Sequence, residues 1–133
     1  MSERITVYDV TLREGMQSPE TTFTVADKMR MAKLLDKMGV DIIEGGSPVS
    51  NPKDGEFFKA CEKTAFREKL CAFGPTCRAD KSPEDDKGMW ILAECPGDYV
   101  CIYGKTSSFH VTEILKTDKE NNLRMIKIIS IFM

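Results

Sequence analysis

Two hydrophobic periods alternate along this chain. Ile5-Thr6-Val7 is a short β-branched run and reads as a buried strand. Further on the apolar residues take helical spacing. Val25, Met29, Ala32 and Leu35 share one face, widened by Leu34 and Met38, so the spacing predicts a helix over 25–38. Thr24 with Asp27 three residues later is a capping-box variant at its start, and Gly39 is a natural stop. Val40-Asp41-Ile42-Ile43 then reads as a short buried strand ending at Glu44-Gly45-Gly46. Strand, amphipathic helix and strand within about 30 residues make a βαβ unit.

The rhythm repeats. Ser50 to Asp54 reads as loop and helix start, with Phe57, Phe58 and Cys61 as the apolar side. Leu70-Cys71-Ala72-Phe73 is a third strand, closed by Gly74-Pro75. Ser82 is placed to cap a helix whose first residue is Pro83, the favoured arrangement, and that helix carries Met89, Trp90, Ile91 and Leu92. The single Trp reads as packing. Tyr99 to Tyr103 is a fourth strand, followed by Gly104-Lys105. A last helix starts near Thr117 or Asp118 and includes Leu123, Met125 and Ile126. Beyond Lys127 the chain is nearly all apolar, where an amphipathic helix keeps a polar face. Alternating strands and helices predict the α/β class: a parallel sheet covered by helices, with ligands at the carboxyl ends of the strands.

Composition narrows the chemistry. The 133 residues suit one modest domain. A net charge of −2, from 19 basic and 21 acidic residues, gives no sign of nucleic-acid or anionic-lipid binding. Five cysteines without a C-x-x-C suggest neither a disulfide framework nor a thiolate zinc site. Cys71 and Cys101 lie in apolar strand-like runs and read as small core residues. A reduced, cytoplasmic setting is expected. Met1-Ser2-Glu3-Arg4 leads into no apolar stretch, so no signal peptide is expected, and no run approaches the roughly 20 residues that span a bilayer. No phosphate-cradling glycine loop of the usual types occurs.

Polar residues gather after the strands. Arg13, Glu14 and Gln17 follow the first, Glu44 ends the second, Thr76 and Arg78 follow the third, and Lys105 follows the fourth. An arginine beside a carboxylate is able to grip a keto acid bidentately, and a carboxylate is a ligand for a hard cation. Gly15 would allow a turn or a close approach to a ligand. A solvated loop with one ion pair accounts for the same residues equally well.

The run D-V-T-L-R-E-G-M-Q at Asp9–Gln17 resembles the first-strand signature of the metal-dependent acyl-CoA Claisen condensation family, whose usual form is D-T-T-L-R-D/E-G-x-Q. That family includes isopropylmalate, homocitrate and citramalate synthases and is related to hydroxymethylglutaryl-CoA lyase. The segment G-V-D-I-I-E-G-G-S-P-V-S-N-P-K-D resembles the citramalate-synthase form of the second strand and loop. A-F-G-P-T-C-R-A resembles A-F-G-S-T-R-R, with an arginine lost at Cys77, and I-Y-G-K-T-S-S-F-H-V-T-E resembles I-F-G-K-S-W-D-L-H-V-T-E. Four motifs stand in the family's order.

The resemblance implies a (β/α)8 barrel and an acyltransferase that condenses acetyl-CoA with a 2-keto acid. Pyruvate is favoured, giving citramalate on the route to isoleucine, with isopropylmalate or homocitrate synthesis as alternatives. It places catalysis on Arg13 and Glu44, substrate binding on Arg13, Gln17 and Lys105, and a ligand to Mn, Mg, Zn or Co on Glu14. It implies a homodimer for the complete enzyme. The family's H-x-H metal pair belongs to a later strand, so the single histidine, His110, reads as a loop or structural residue. A complete barrel takes about 250 residues. Residues 1–133 are therefore expected to be the N-terminal half of the catalytic domain, ending through truncation or a frameshift or else in a genuine apolar segment buried against a partner, and inactive alone. A reading of another class is a non-catalytic half-barrel whose open edges pair with a second copy or a complementary chain.

Overall fold

The computed structural model describes residues 3–132. Met1, Ser2 and Met133, at the ends read above as a leaderless start and an apolar finish, lie outside the described residues. Four parallel strands form one sheet in chain order: β1 (Tyr8–Asp9), β2 (Ile42–Gly46), β3 (Leu70–Pro75) and β4 (Tyr99–Tyr103). The helices are α1 (Thr11–Glu14), α2 (Val25–Lys37), α3 (Pro52–Cys61), α4 (Lys87–Ala93) and α5 (Lys119–Phe132). The sheet is open, with β1 and β4 as its edges. This is a partial (β/α)8 arrangement of about four βα units. No helix among the described residues is long and apolar enough to cross a membrane.

Register separates the two faces of the sheet. Tyr8 stands beside Ile42, Glu44 beside Cys71, and Phe73 beside Cys101. Side chains alternate along a strand, so Tyr8, Glu44, Cys71, Phe73, Cys101 and Tyr103 share one face. The Phe73 and Tyr103 rings stack on that face, 4.9 Å apart. The opposite face carries Ile43, Leu70 and Ala72, which join Ala32, Phe57, Phe58, Cys61 and Leu92 in a single buried core under the helices.

Local chemistry explains the helix ends. Thr24 and Asp27 form the capping box of α2 in full, and Gly39 follows with φ of 83°. Asn51 caps α3 through Lys53 N–H, with Pro52 in its first turn. Ser82 does not cap a helix. Pro83–Asp85 forms a single 3-10 turn, and the buried Asp86 caps α4 instead, accepting from Gly88 N–H and Arg78 N–H at 2.9 Å each.

Several expectations change at the edges. Ile5-Thr6-Val7 is not a buried strand: Ile5 is 82% exposed, and the first paired residues are Tyr8 and Asp9. β-Branched chemistry survives there because an edge does not demand burial. Leu34 and Met38 do not widen the buried face of α2, being exposed while Lys28, Ala32 and Leu35 are buried. Cys71 is buried, but Cys101 is only half-buried because β4 has no strand beyond it. Trp90 is half-exposed, its ring T-shaped against Phe132 and its indole N–H donating to the Glu84 carbonyl at 2.8 Å. The apolar run after Lys127 continues α5, burying Ile129 beside Met125 and leaving Leu123 exposed.

The buried lysine is the feature that periodicity missed. Lys28 is fully buried, and its Nζ lies 2.6 Å from Asp54 Oδ1. Burial pushes its ammonium below the ordinary lysine value, and Asp54 opposes that shift. Asp54 Oδ2 accepts the Ser47 N–H at 2.8 Å, so the pair also fixes the chain leaving β2. Gly46 is required at that point, because its φ is 134° and a Cβ would fall 2.4 Å from the Asp54 carboxylate. Removing one member of a buried pair strands the other charge. Asp54→Ala is expected to cost about 3–5 kcal/mol, as measured by urea denaturation, far more than an exposed substitution such as Glu62→Ala.

Candidate functional site

The motif at the end of β1 forms a helical turn, not an open loop. Asp9 accepts from Thr11 N–H at 2.9 Å and from the Thr11 hydroxyl at 3.0 Å, an Asx-type turn that starts α1. Leu12 is fully buried and anchors that turn. A 3-10 turn, Gly15–Gln17, follows directly. Gly15 has helical angles, and the nearest atoms to an added Cβ are 3.8 Å away, so neither a special turn nor a close approach requires glycine here.

Arg13 is held on three sides. Its Nε donates to Glu44 Oε1 in a short ion pair, and its Nη1 donates to Glu14 Oε2 at 2.6 Å. The guanidinium carbon lies 4.2 Å from the centre of the Phe73 ring. Burial alone would lower the guanidinium's pKa, but the hydrogen bonds and charges of Glu44 and Glu14 outweigh it and hold Arg13 above its ordinary value. Nη2 has no acceptor among the described residues, which leaves a donor for a ligand.

Glu44 lies within β2 and is 1% exposed. Both of its oxygens are engaged, Oε1 by Arg13 and Oε2 by the Tyr8 hydroxyl in a second short contact. The Tyr8 hydroxyl also lies 3.5 Å from Cys71 Sγ. Burial, then the hydrogen bonds to Cys71 and Glu44, raise the Tyr8 phenol above its ordinary value, so it stays a donor at neutral pH. Burial pushes the Cys71 thiol up to about 11.

Arg13 and Gln17 border a cleft of about 300 Å³, with Ser47, Asn51, Asp54, Phe73 and Tyr103 on its other walls. Glu44 and Glu14 join this cleft through Arg13. Lys105 does not. It borders a neighbouring cleft of about 490 Å³ with Thr76 and Arg78, and Tyr103 stands between the two. Lys105 Nζ sits 5.4 Å from the centre of the Tyr103 ring. Arg78 pairs with Asp80 at the surface. His110 begins a five-residue π-turn, His110–Ile114, is exposed, and lines neither cleft.

Sequence reasoning passed over Tyr8, Phe73 and the Lys28–Asp54 pair. The first two were legible in principle. Counting by twos from Glu44 across the register puts Tyr8, Cys71 and Phe73 on the glutamate's side of the sheet. Among the described residues no group of three or more His, Cys, Asp or Glu is placed to hold a metal ion. Glu14, at 57% side-chain exposure, offers a single carboxylate, and divalent cations take six or more oxygen ligands or a mixed nitrogen set. These residues do not by themselves fit a closed metal centre.

A family model described as HMGL-like matches residues 4–130. The chain is 43% identical over 127 residues to an (R)-citramalate synthase of Aquifex aeolicus, covering 95% of this chain and 24% of that protein. It is 44% identical over 123 residues to an (R)-citramalate synthase of Geobacter sulfurreducens, covering 92% and 23%. It is 32% identical over 125 residues to a 2-isopropylmalate synthase of Shewanella pealeana, covering 94% and 23%. The chain spans about a quarter of the length of the curated relatives it matches.

The site geometry assigns its thiol no nucleophilic part. With its thiol pushed up to about 11, Cys71 is protonated at pH 8 and buried beneath Tyr8. Iodoacetamide at pH 8 is expected to label the half-buried Cys101 while leaving Cys71 unmodified, as read by peptide mass spectrometry of the folded chain.

Proposed function

The chain belongs to the HMGL-like family, and from that premise we propose that residues 1–133 are the N-terminal half of the catalytic domain of a citramalate-synthase-type acyltransferase that joins acetyl-CoA to pyruvate. The observation that carries this reading is Arg13, clamped by Glu44 and Glu14 over Phe73 at the carboxyl end of a parallel sheet. The identity to proteins named citramalate synthase, against 32% to a 2-isopropylmalate synthase, favours the smaller keto acid.

The reaction forms a carbon–carbon bond. A base removes a proton from the acetyl methyl, the enolate carbon attacks the keto carbon, and the carbonyl oxygen takes up negative charge. Thioester hydrolysis then releases CoA. Arg13 acts at the carbonyl oxygen. Its charge is fixed in place before reaction by two carboxylates and a ring face, so little reorganisation is needed as the oxyanion forms. Nη2 is the donor left for that oxygen. Gln17 and Asn51, across the same cleft, supply amide groups for the keto-acid carboxylate. Glu44 holds the guanidinium plane. Glu14 contributes one carboxylate toward the divalent cation expected of the complete enzyme, and the remaining ligands lie outside this chain's residues. The complete enzyme is a cytoplasmic homodimer in this reading.

The open sheet supports a second reading, a half-barrel that assembles with a second copy of itself or with a complementary chain. Tyr99, Val100 and Tyr103 on β4 and Tyr8 on β1 are all exposed edge residues. Light scattering on the eluting chain discriminates: a pure monomer argues against self-pairing.

Titration calorimetry tests the catalytic reading on the chain as it stands. Pyruvate is expected to bind, and Arg13→Lys, which keeps the charge but loses the planar fork, is expected to weaken binding by roughly tenfold or more. In a CoA-release assay with acetyl-CoA, pyruvate and Mn, the chain alone is expected to show little turnover. Absence of pyruvate binding would overturn the substrate assignment, and turnover matching a full-length relative would overturn the half-domain assignment.

A further inference from the structure

Glu44 is nearly sealed from water, and Arg13 alone does not account for its second oxygen. That oxygen meets the Tyr8 hydroxyl. Tyr8 reaches it from the neighbouring strand: the Tyr8–Ile42 register leaves Glu44 two residues further on along the same face. The ring lies on the uncovered side of the sheet, and its hydroxyl also contacts Cys71 one strand further across. One phenol therefore touches side chains on two other strands.

The physical consequence runs through the carboxylate. A buried carboxylate held at one oxygen is free to turn about its last side-chain bond, and Arg13 turns with it. Held at both oxygens, its plane is fixed, and so is the direction of the Arg13 Nε–H bond. The raised phenol keeps its proton at every working pH, so the donor does not switch off. Losing it would leave a buried acceptor without a partner. Among the described residues Tyr8 has no other polar partner of comparable closeness: its contact to Cys71 is a long one to sulfur.

We infer that Tyr8 is a positioning residue, which aligns the Arg13 guanidinium by fixing the second oxygen of Glu44. The inference rests on the reading of Arg13 as the carbonyl-polarising group, but its direct consequence is structural and is measured without turnover. Hydrogen exchange at the Arg13 Nε–H, followed by nitrogen-edited NMR and assigned by its loss in Arg13→Lys, reports how tightly the guanidinium is held. Tyr8→Phe keeps the ring and removes only the donor. It is expected to speed this exchange by roughly tenfold, the usual weight of one hydrogen bond to a charged group. Tyr8→His restores a donor and is expected to recover part of the protection, and it carries the test if the phenylalanine variant fails to fold. Tyr99→Phe, which alters an exposed tyrosine on the same face, is expected to change nothing. Unchanged exchange in Tyr8→Phe, or equal loosening in Tyr8→His or Tyr99→Phe, overturns the inference. Adding pyruvate separates it from the reading it rests on. If pyruvate leaves the wild-type Arg13 signal unmoved, the substrate assignment fails, while the exchange comparison still decides the role of Tyr8.

Discussion

The burial of one carboxylate organises this molecule. Glu44 sits within the second strand, shielded from water, at a position where an apolar residue would need no partners. A charge there is costly unless its oxygens are met by donors. Both donors come from the N-terminal segment, Tyr8 from β1 and Arg13 from the turn after it. β1 is only two residues long, so its backbone pairing with β2 gives weak purchase. The side-chain pair supplies the rest of the attachment, along with the fully buried Leu12. The interaction that neutralises Glu44 therefore also fixes the register of the first strand and the plane of the arginine. Stability and site geometry share their contacts.

A second buried pair acts just beyond the same strand. Lys28 enters from the helix face and meets Asp54, which holds the Ser47 amide and excludes any side chain at residue 46. The chain leaving β2 is thus pinned before it reaches the Asn51 cap of α3. Arg13 lines one wall of the cleft, and Ser47, Asn51 and Asp54 line another. Polar groups on both walls are set by buried ion pairs, not by loops in water, and this is how a site keeps its dipoles aligned without reorganising.

What the sequence made legible follows from what periodicity encodes. Strand–helix alternation, the capping box at Thr24 and the helical stop at Gly39 are local chemistry, and the parallel sheet followed from them. The polar residues after each strand were visible for the same reason, and the structure places Arg13 and Gln17 on one cleft, with Glu14 and Glu44 bonded to Arg13 behind it. Lys105 illustrates the limit. A residue after β4 was assigned to the same site, but Tyr103 divides the rim, and a ring between two clefts leaves no trace in spacing. Lys28 illustrates another. A lysine on a helix reads as solvated until its partner is known, and Asp54 lies 26 residues away. Tyr8 drew no reading of its own, because Ile5-Thr6-Val7 before it looked like the strand itself. At a sheet edge, β-branched residues and actual pairing come apart.

The uncovered side of the sheet bears on the strength of the site. Helices bury Ile43, Leu70 and Ala72, whereas Tyr99 and Tyr103 on the other face stay exposed and Phe73 is half-buried. Parallel sheets are ordinarily covered on both faces, and in a closed barrel the inward residues form packed layers. Here the inward layer holds rings, two thiols and a paired charge, a composition suited to burial. Coulombic attraction grows several-fold as water is excluded. Covering this face would therefore strengthen the pull of Arg13 on a carbonyl oxygen and the hold of Glu44 on Arg13 together. The open face and the polarising arginine are one physical problem: whatever closes the first also sets the power of the second.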